Sequence, residues 1–264
     1  MAINYDIIAL DVDGTLLTDA HKLTTETRDA VREAAQRGAE IVLCTGRGPI
    51  NTLPVLEELG LSGTIITHNG GATVDAARRE VLHQYDLSPI ELMRFIDFCR
   101  EGGHHCDINT AFEMMTEGMS NEAEAMYSLF DVKPLIAPFA DPLPEGLVKF
   151  TVFGTQAEMD LVESVWNGWT HGLSFIRSGD FFIDVMHPDA NKGTALRNLA
   201  ALRGVDPSRV LAIGNYYNDL GMLDFAGLGV AVANSPEAVK ARADVIAPSN
   251  EENGVAFALR TQAW

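Results

Sequence analysis

Cysteine is scarce in this chain: three residues, Cys44, Cys99 and Cys106, in a length of 264. The odd number and the lack of a Cys-x-x-C pair exclude a disulfide framework and fit a reduced, cytoplasmic protein. Long apolar runs are missing too. No stretch approaches the ~18 apolar residues of a membrane helix. The N-terminal stretch has no basic start and carries Asp6 and Asp11, so no signal peptide is expected. Positive charge is in deficit, with 19 Lys and Arg against 37 Asp and Glu for a net charge of −18. That balance excludes a broad nucleic-acid footprint, which needs clustered Lys and Arg. It leaves room for a small anionic substrate at one local site, and it suits a site that holds a divalent cation. Repeats and low-complexity tracts are absent, and 47% hydrophobic residues exclude a disordered chain.

What is present begins with buried-strand signals. Asp6–Leu10 is a short apolar run ending at Asp11. Residues 24–38 read as a helix, capped by Thr24 or Thr25 and stopped at Gly38. Ile41–Cys44 is a second buried strand, Pro49–Leu59 a helix, and Gly63–Thr67 a third strand. This β-α-β-α-β order at short spacing predicts a parallel sheet. The pattern then changes. Ser88–Gly102 is an amphipathic helix with Leu92, Phe95, Ile96 and Cys99 on one face. Leu147–Phe153 and Phe181–Met186 read as antiparallel strands, a type that often turns one face to solvent. Pro134, Pro138, Pro142 and Pro144 mark a loop-rich stretch, and Met114, Met115, Met119 and Met126 read as adaptable packing. Cys106, His104, His105 and Asp107 have metal-ligand chemistry. No second cluster at finger-like spacing accompanies them, so alternation along a strand is the reading adopted. After Asn191 the first style returns, with helices at 192–202, 220–225 and 236–242 and strands at 210–213, 229–232 and 244–247. The middle is therefore read as an insertion: 82–187 forms one domain, while 1–81 and 188–264 together form the other.

In an open parallel sheet, ligands bind beyond the carboxyl ends of the strands. The polar residues of interest lie at those ends. They are Asp11-Val-Asp13-Gly14-Thr15, Thr45-Gly46-Arg47, Asn191-Lys192-Gly193 and Gly214-Asn215-Tyr-Tyr-Asn218-Asp219. A lone Asp-x-Asp reads as a turn or a cap, but four such elements at four ends point to phosphoryl transfer. Asp11 closes a buried strand, where an unpaired carboxylate is costly. Mg²⁺ removes that cost, and a carboxylate beside it can attack phosphorus. Asp13 can protonate the leaving oxygen and then activate water. Thr45 offers its hydroxyl and nearby backbone N–H groups to phosphate oxygens, and Lys192 a balancing charge.

This set resembles the haloacid dehalogenase superfamily. More narrowly it is similar to the Cof-type phosphatases, whose cap is inserted between the second and third motifs. The likeness extends to Asn69-Gly70 after the third strand and to Ala233-Asn-Ser-Pro-Glu-Ala-Val-Lys240, Ala243-Asp244 and Asn250-Glu-Glu-Asn-Gly-Val255. The resemblance implies an α/β fold, a Rossmann-like doubly wound parallel sheet core with an inserted α+β cap domain. It implies a Mg²⁺-dependent phosphomonoester hydrolase acting on a small phosphorylated metabolite, such as a sugar phosphate or phosphorylated cofactor, through an aspartyl phosphate. Asp11 would be nucleophile and metal ligand. Asp13 would be acid/base and reach the metal through its backbone carbonyl. Thr45 and Lys192 would hold and neutralise the phosphoryl group. Asn218 would contact phosphate, and Asp219 would support the metal. Gly46 and Arg47 belong to the second motif; for Arg47 a structural salt bridge competes with substrate binding. Asn69 and Asn191 would contact the substrate or support its ligands, and His68 would be structural. The cap would set specificity, with Arg177, Asp180 and His105 as candidate contacts and a solvated surface role as the alternative for each.

One position departs from the pattern. The fourth motif of that family usually opens Gly-Asp, and its acid binds Mg²⁺ directly; here the residue is Asn215. The amide can still ligate but carries no charge, so weaker Mg²⁺ binding is expected unless Asp219 moves inward. Two other readings compete: a phosphotransferase such as a mutase, and a phospho-ligand-binding protein whose turnover Asn215 has reduced.

Overall fold

The computed structural model describes residues 3–129 and 132–264. The chain divides into two compact units, Met1–His83 with Asn191–Trp264, and Gln84–Ala190. In chain order the first unit opens with β1 (Ile7–Leu10), α1 (Thr25–Gln36), β2 (Glu40–Cys44), α2 (Pro49–Glu58), β3 (Thr64–Thr67), β4 (Ala72–Asp75) and β5 (Glu80–Gln84). The second holds α3 (Pro89–Gly102), β6 (His105–Thr110), β7 (Met114–Thr116), α4 (Asn121–Leu129), β8 (Leu135–Ile136), β9 (Leu147–Phe153), α5 (Gln156–Asn167), β10 (Ser174–Gly179) and β11 (Phe182–Met186). The first unit then resumes with α6 (Lys192–Arg203), β12 (Val210–Gly214), α7 (Leu220–Phe225), β13 (Leu228–Val232), α8 (Glu237–Lys240), β14 (Val245–Ala247) and α9 (Gly254–Gln262). None of these helices is long and apolar enough to cross a membrane.

The first unit is built on a sheet of order β14-β13-β12-β1-β2-β3-β4-β5. Strand β1 is apolar and buried along its whole length, as a central parallel strand requires. It pairs in parallel with β2 on one side and β12 on the other. The chain moves outward from β1 to β3, then returns to fill the opposite side with β12 to β14. The strand order thus reverses between β1 and β12, and Asp11 and Gly214 emerge side by side there. The Asp11 N–H donates to the Ile213 carbonyl at 2.9 Å. A feature absent from the sequence reading is the antiparallel return of β4 against β3. The Asn69-Gly70 turn makes that hairpin, with Asn69 and Gly70 both at positive φ.

The inserted unit is a sheet of order β10-β11-β9-β6-β7-β8, antiparallel except where β7 meets β8. Ser88 caps α3 and Thr155 caps α5. Both helices pack on one face of the sheet, where Phe95, Trp166, Phe150, Ile108 and Ile183 form a core. Cys99 and Cys106 lie in that core. Asp107, the next residue, points to the other face by strand alternation, which breaks up any Cys106–Asp107 metal set. The methionines are packing, as expected: Met126 is buried with Ala123 and Tyr127, and Met114 and Met119 lie against them.

That other face is not the solvated surface expected for these strands. Asp107, Thr151 and Asp184 stand in register across β6, β9 and β11, and all three are buried. Asp107 accepts hydrogen bonds from Asn109 at 2.6 Å and Tyr127 at 3.0 Å. Thr151 donates to Asp184 at 2.9 Å, and Lys149 lies 3.6 Å from the same carboxylate. Burial pushes the Asp107 acid up to about 6 from its ordinary 3.8, against the pull of Lys149. The folded chain therefore binds this proton more tightly than the unfolded chain between those values. Stability from this group falls as pH rises through the window. Asp107→Asn should raise the urea midpoint more at pH 7 than at pH 4; an equal shift at both pH values would count against this assignment.

Candidate active site

The site grows from the carboxyl end of β1. Strand pairing ends at Leu10, and the chain turns away through residues 12–16, with the Leu17 N–H closing on the Val12 carbonyl at 3.0 Å. Gly14 sits at φ +72°, and a Cβ there would lie 2.5 Å from the Asn215 amide. Only glycine meets both demands. On the far side of β1, α6 starts at Lys192 with Asn191 as its N-cap, the Asn191 side chain accepting from the Thr194 N–H at 2.9 Å. A Cβ on Gly193 would meet the Gly221 backbone at 2.4 Å, so glycine lets α6 and α7 touch and sets Lys192 deep beside β1 and β12.

Three charges are buried together there. Lys192 Nζ donates to Asp11 Oδ1 at 2.7 Å and to Asp219 Oδ1 at 2.6 Å. The lysine is 1% exposed, Asp11 5% and Asp219 0%. Burial opposes the ammonium, but the two carboxylates outweigh it and hold the Lys192 pKa above its usual value. Asp11 moves up as well, because burial and the Asp219 charge exceed the pull of Lys192. Two carboxylates and one ammonium leave one negative charge without a partner. Its location is visible: Asp11 Oδ2 is buried and receives no hydrogen bond from the described residues. The buried Thr15 hydroxyl belongs to the same turn and favours the charged form of Asp11.

Asp219 differs in kind. Its Oδ1 takes Lys192, and its Oδ2 accepts from the Asn215 N–H at 2.8 Å and the Tyr216 N–H at 2.9 Å. Every oxygen is engaged by the chain itself, so Asp219 holds the turn and the lysine. An inward move to replace the missing acid at 215 would break these bonds. Asp13 is likewise occupied. Arg47 grips it with both Nε, at 2.8 Å, and Nη2. His21 Nδ1 approaches the same carboxylate at 3.4 Å. Arg47 thus pairs with the expected acid/base, a partner the sequence reading did not name. Among the described residues no group of three or more His, Cys, Asp or Glu is arranged to hold a metal. Of the residues expected at a metal, Asp11 keeps Oδ2 clear of any cation or backbone N–H of the described residues, and Asn215 sets its amide nitrogen against Gly14.

The remaining residues divide by what they touch. Thr45 is 1% exposed; its N–H donates to the Ile66 carbonyl, and its hydroxyl oxygen accepts from the Arg47 N–H at 3.1 Å. The hydroxyl hydrogen, and not its own N–H, is what Thr45 has to offer a ligand. Gly46 lies against the Asn69 amide, 3.0 Å from where a Cβ would sit. Asn69 Oδ1 accepts from Asn218 Nδ2 at 2.9 Å, which ties the third-strand turn to the fourth motif. His68 is buried against Gly48 at φ +51° and shapes the turn. In the inserted unit, Arg177 is held by Asp160, Glu163 and the Asp180 carbonyl, and His105 by Tyr127. Two supporting residues escaped the sequence reading. His21 carries no motif signal. Asn234, whose Nδ2 donates to the Gly14 carbonyl at 2.8 Å, stands in the Ala233-Asn-Ser-Pro segment, which was a usable signal.

The family model of haloacid dehalogenase-like hydrolases matches residues 8–259. The Bacillus subtilis protein YxeH, which carries a phosphatase name, is 32% identical over 262 residues, covering 97% of each chain. The Bacillus subtilis 5-amino-6-(5-phospho-D-ribitylamino)uracil phosphatase YwtE is 27% identical over 278 residues, covering 95% of each. A solved structure of a haloacid dehalogenase-like hydrolase from Bacteroides thetaiotaomicron superimposes with a TM-score of 0.87 at 26% identity, over 97% of this chain and 98% of the other.

Lys192→Met would leave two buried carboxylates facing each other. Losing one member of a buried ion network costs about 3–5 kcal/mol, measurable as a lower urea midpoint at neutral pH. The penalty should shrink in Lys192→Met/Asp219→Asn, which removes the facing charge; an undiminished penalty would show that charge is not its source.

Proposed function

The chain is a member of the haloacid dehalogenase-like hydrolases, and from that premise we propose that it hydrolyses small phosphomonoesters by way of an aspartyl phosphate. The observation that carries this reading is Asp11 Oδ2, a buried carboxylate oxygen at the reversal of the strand order that no cation or backbone N–H of the described residues reaches, with the Thr15 hydroxyl as a neighbour that steadies the charge. A nucleophile needs a lone pair that no neighbour has taken.

In the proposed reaction Asp11 Oδ2 attacks phosphorus, and the bond to the ester oxygen breaks. Asp13 gives that oxygen its proton, so the alcohol leaves neutral. Water then attacks the aspartyl phosphate, its proton passing to Asp13, and the released carboxylate is Asp11 again. Lys192 keeps Oδ1 occupied, which leaves Oδ2 as the reacting oxygen. The Thr45 hydroxyl and Asn218 are assigned to the phosphate oxygens, with Gly46 allowing close approach. Arg47 fills both Asp13 oxygens in the resting chain, so the proposed acid/base role requires Arg47 to release one of them when substrate binds. Asn69 holds Asn218, and Asn191 presents Lys192 by capping its helix. The uncompensated negative charge fits a divalent cation, so Mg²⁺ is assigned to Asp11, the Asp13 carbonyl and Asn215. When bound it would supply positive charge to the transferring phosphoryl group. Much of the choice among phosphorylated metabolites is assigned to the inserted domain.

Release of phosphate from p-nitrophenyl phosphate with added Mg²⁺ tests the reading. Asp11→Asn should abolish release while leaving the fold intact, and full retention would refute the nucleophile. Asn215→Asp should lower the Mg²⁺ concentration at half-maximal activity, since it restores a charged ligand. An unchanged midpoint would remove residue 215 from the metal.

A further inference from the structure

The fourth motif carries two residues that the proposed reaction does not use. Tyr216 and Tyr217 lie between Asn215, assigned to the cation, and Asn218, assigned to phosphate. Both rings stay open to solvent, at 54% and 52% exposure. They stand edge to face, with centroids 5.0 Å apart and planes at 74°. The backbone beneath them is fixed: Asp219 Oδ2 accepts from the Tyr216 N–H, and the Asp219 N–H donates to the Tyr216 carbonyl at 3.0 Å. Asp219 is itself locked to Lys192. The rings are therefore mounted on a turn that has little freedom, so a ligand stacking on them orders few torsions. Large apolar surface held rigid and uncovered beside polar ligand groups is typical of binding contacts.

We propose that Tyr216 and Tyr217 are specificity-determining residues of this site, taking the flat ring of an aromatic or heteroaromatic leaving group. The assignment rests on the phosphatase reading above. A phosphate held by Asn218 has the tyrosine pair on the two preceding residues of the same turn, and the proposal sets the group esterified to it against that aromatic corner. An aryl ring matches that corner by stacking on one tyrosine and meeting the edge of the other. A short polyol has no flat face to offer.

Steady-state release of phosphate from 2-naphthyl phosphate and from glycerol 2-phosphate, with Mg²⁺, separates the outcomes. The wild type should show the lower KM for the naphthyl ester. Tyr216→Ala/Tyr217→Ala should raise that KM by roughly three- to tenfold, the worth of one or two aromatic contacts. Its kcat for the naphthyl ester and both constants for glycerol 2-phosphate should hold within about twofold on the same scale. Tyr216→Phe/Tyr217→Phe, which keeps the rings, should retain the naphthyl KM. An unchanged naphthyl KM in the alanine variant, or a parallel rise for both esters, would overturn the proposal. No release from either ester by the wild type would count against the phosphatase reading itself.

Discussion

The buried Lys192 bridge between Asp11 and Asp219 is the interaction on which the first unit depends. It joins the first strand, the first turn of α6 and the turn after β12, three pieces that meet only because the sheet reverses its order there. Each carboxylate would be costly to bury alone. Together with the lysine they fall one positive charge short of balance, and the shortfall is concentrated on a single oxygen of Asp11. Stability and reactivity are thus two aspects of one arrangement. The residue that makes the network tolerable also decides which oxygen stays open.

Much of this was legible from residue order. Asp6–Leu10 and residues 210–213 are short apolar runs ending in polar residues, and that is the signature of parallel strands delivering side chains at their carboxyl ends. Gly14, Gly193 and the Lys192 position followed from motif spacing. Partner choice did not. An Asn directly before a helix starting at 192 is itself an N-cap signal, but nothing in the order of residues says that Arg47 takes Asp13 or that both oxygens of Asp219 are filled. Those outcomes depend on rotamers and on competition among groups distant in sequence. The Asn69-Gly70 turn marks the end of the third strand, but the turn alone does not say that the chain comes back antiparallel as β4. The buried polar row Asp107–Thr151–Asp184 was not foreseen, because alternation reports which residues share a face, not whether water reaches it.

Asn215 illustrates the same separation. The sequence shows the missing charge, and two responses were open: an inward move of Asp219, or a site with fewer charged ligands. The two backbone N–H donors on Asp219 Oδ2 favour the second. The turn is built so that the acid serves the loop, and the loop in turn presents the amide at 215 and the exposed rings at 216 and 217.

The separation of 181 positions between Asp11 and its lysine has a consequence for how the protein is made. Until β12 is available, β1 has a partner only on the β2 side, so one apolar edge of the central strand stands open. Pairing across such a separation is slow, because the intervening chain must first be brought together. During synthesis the inserted unit leaves the ribosome before that edge can close. Compaction of the insertion ahead of that pairing would shorten the effective loop between β1 and β12, and so bring forward the moment when the sheet, and with it the charge network, can form.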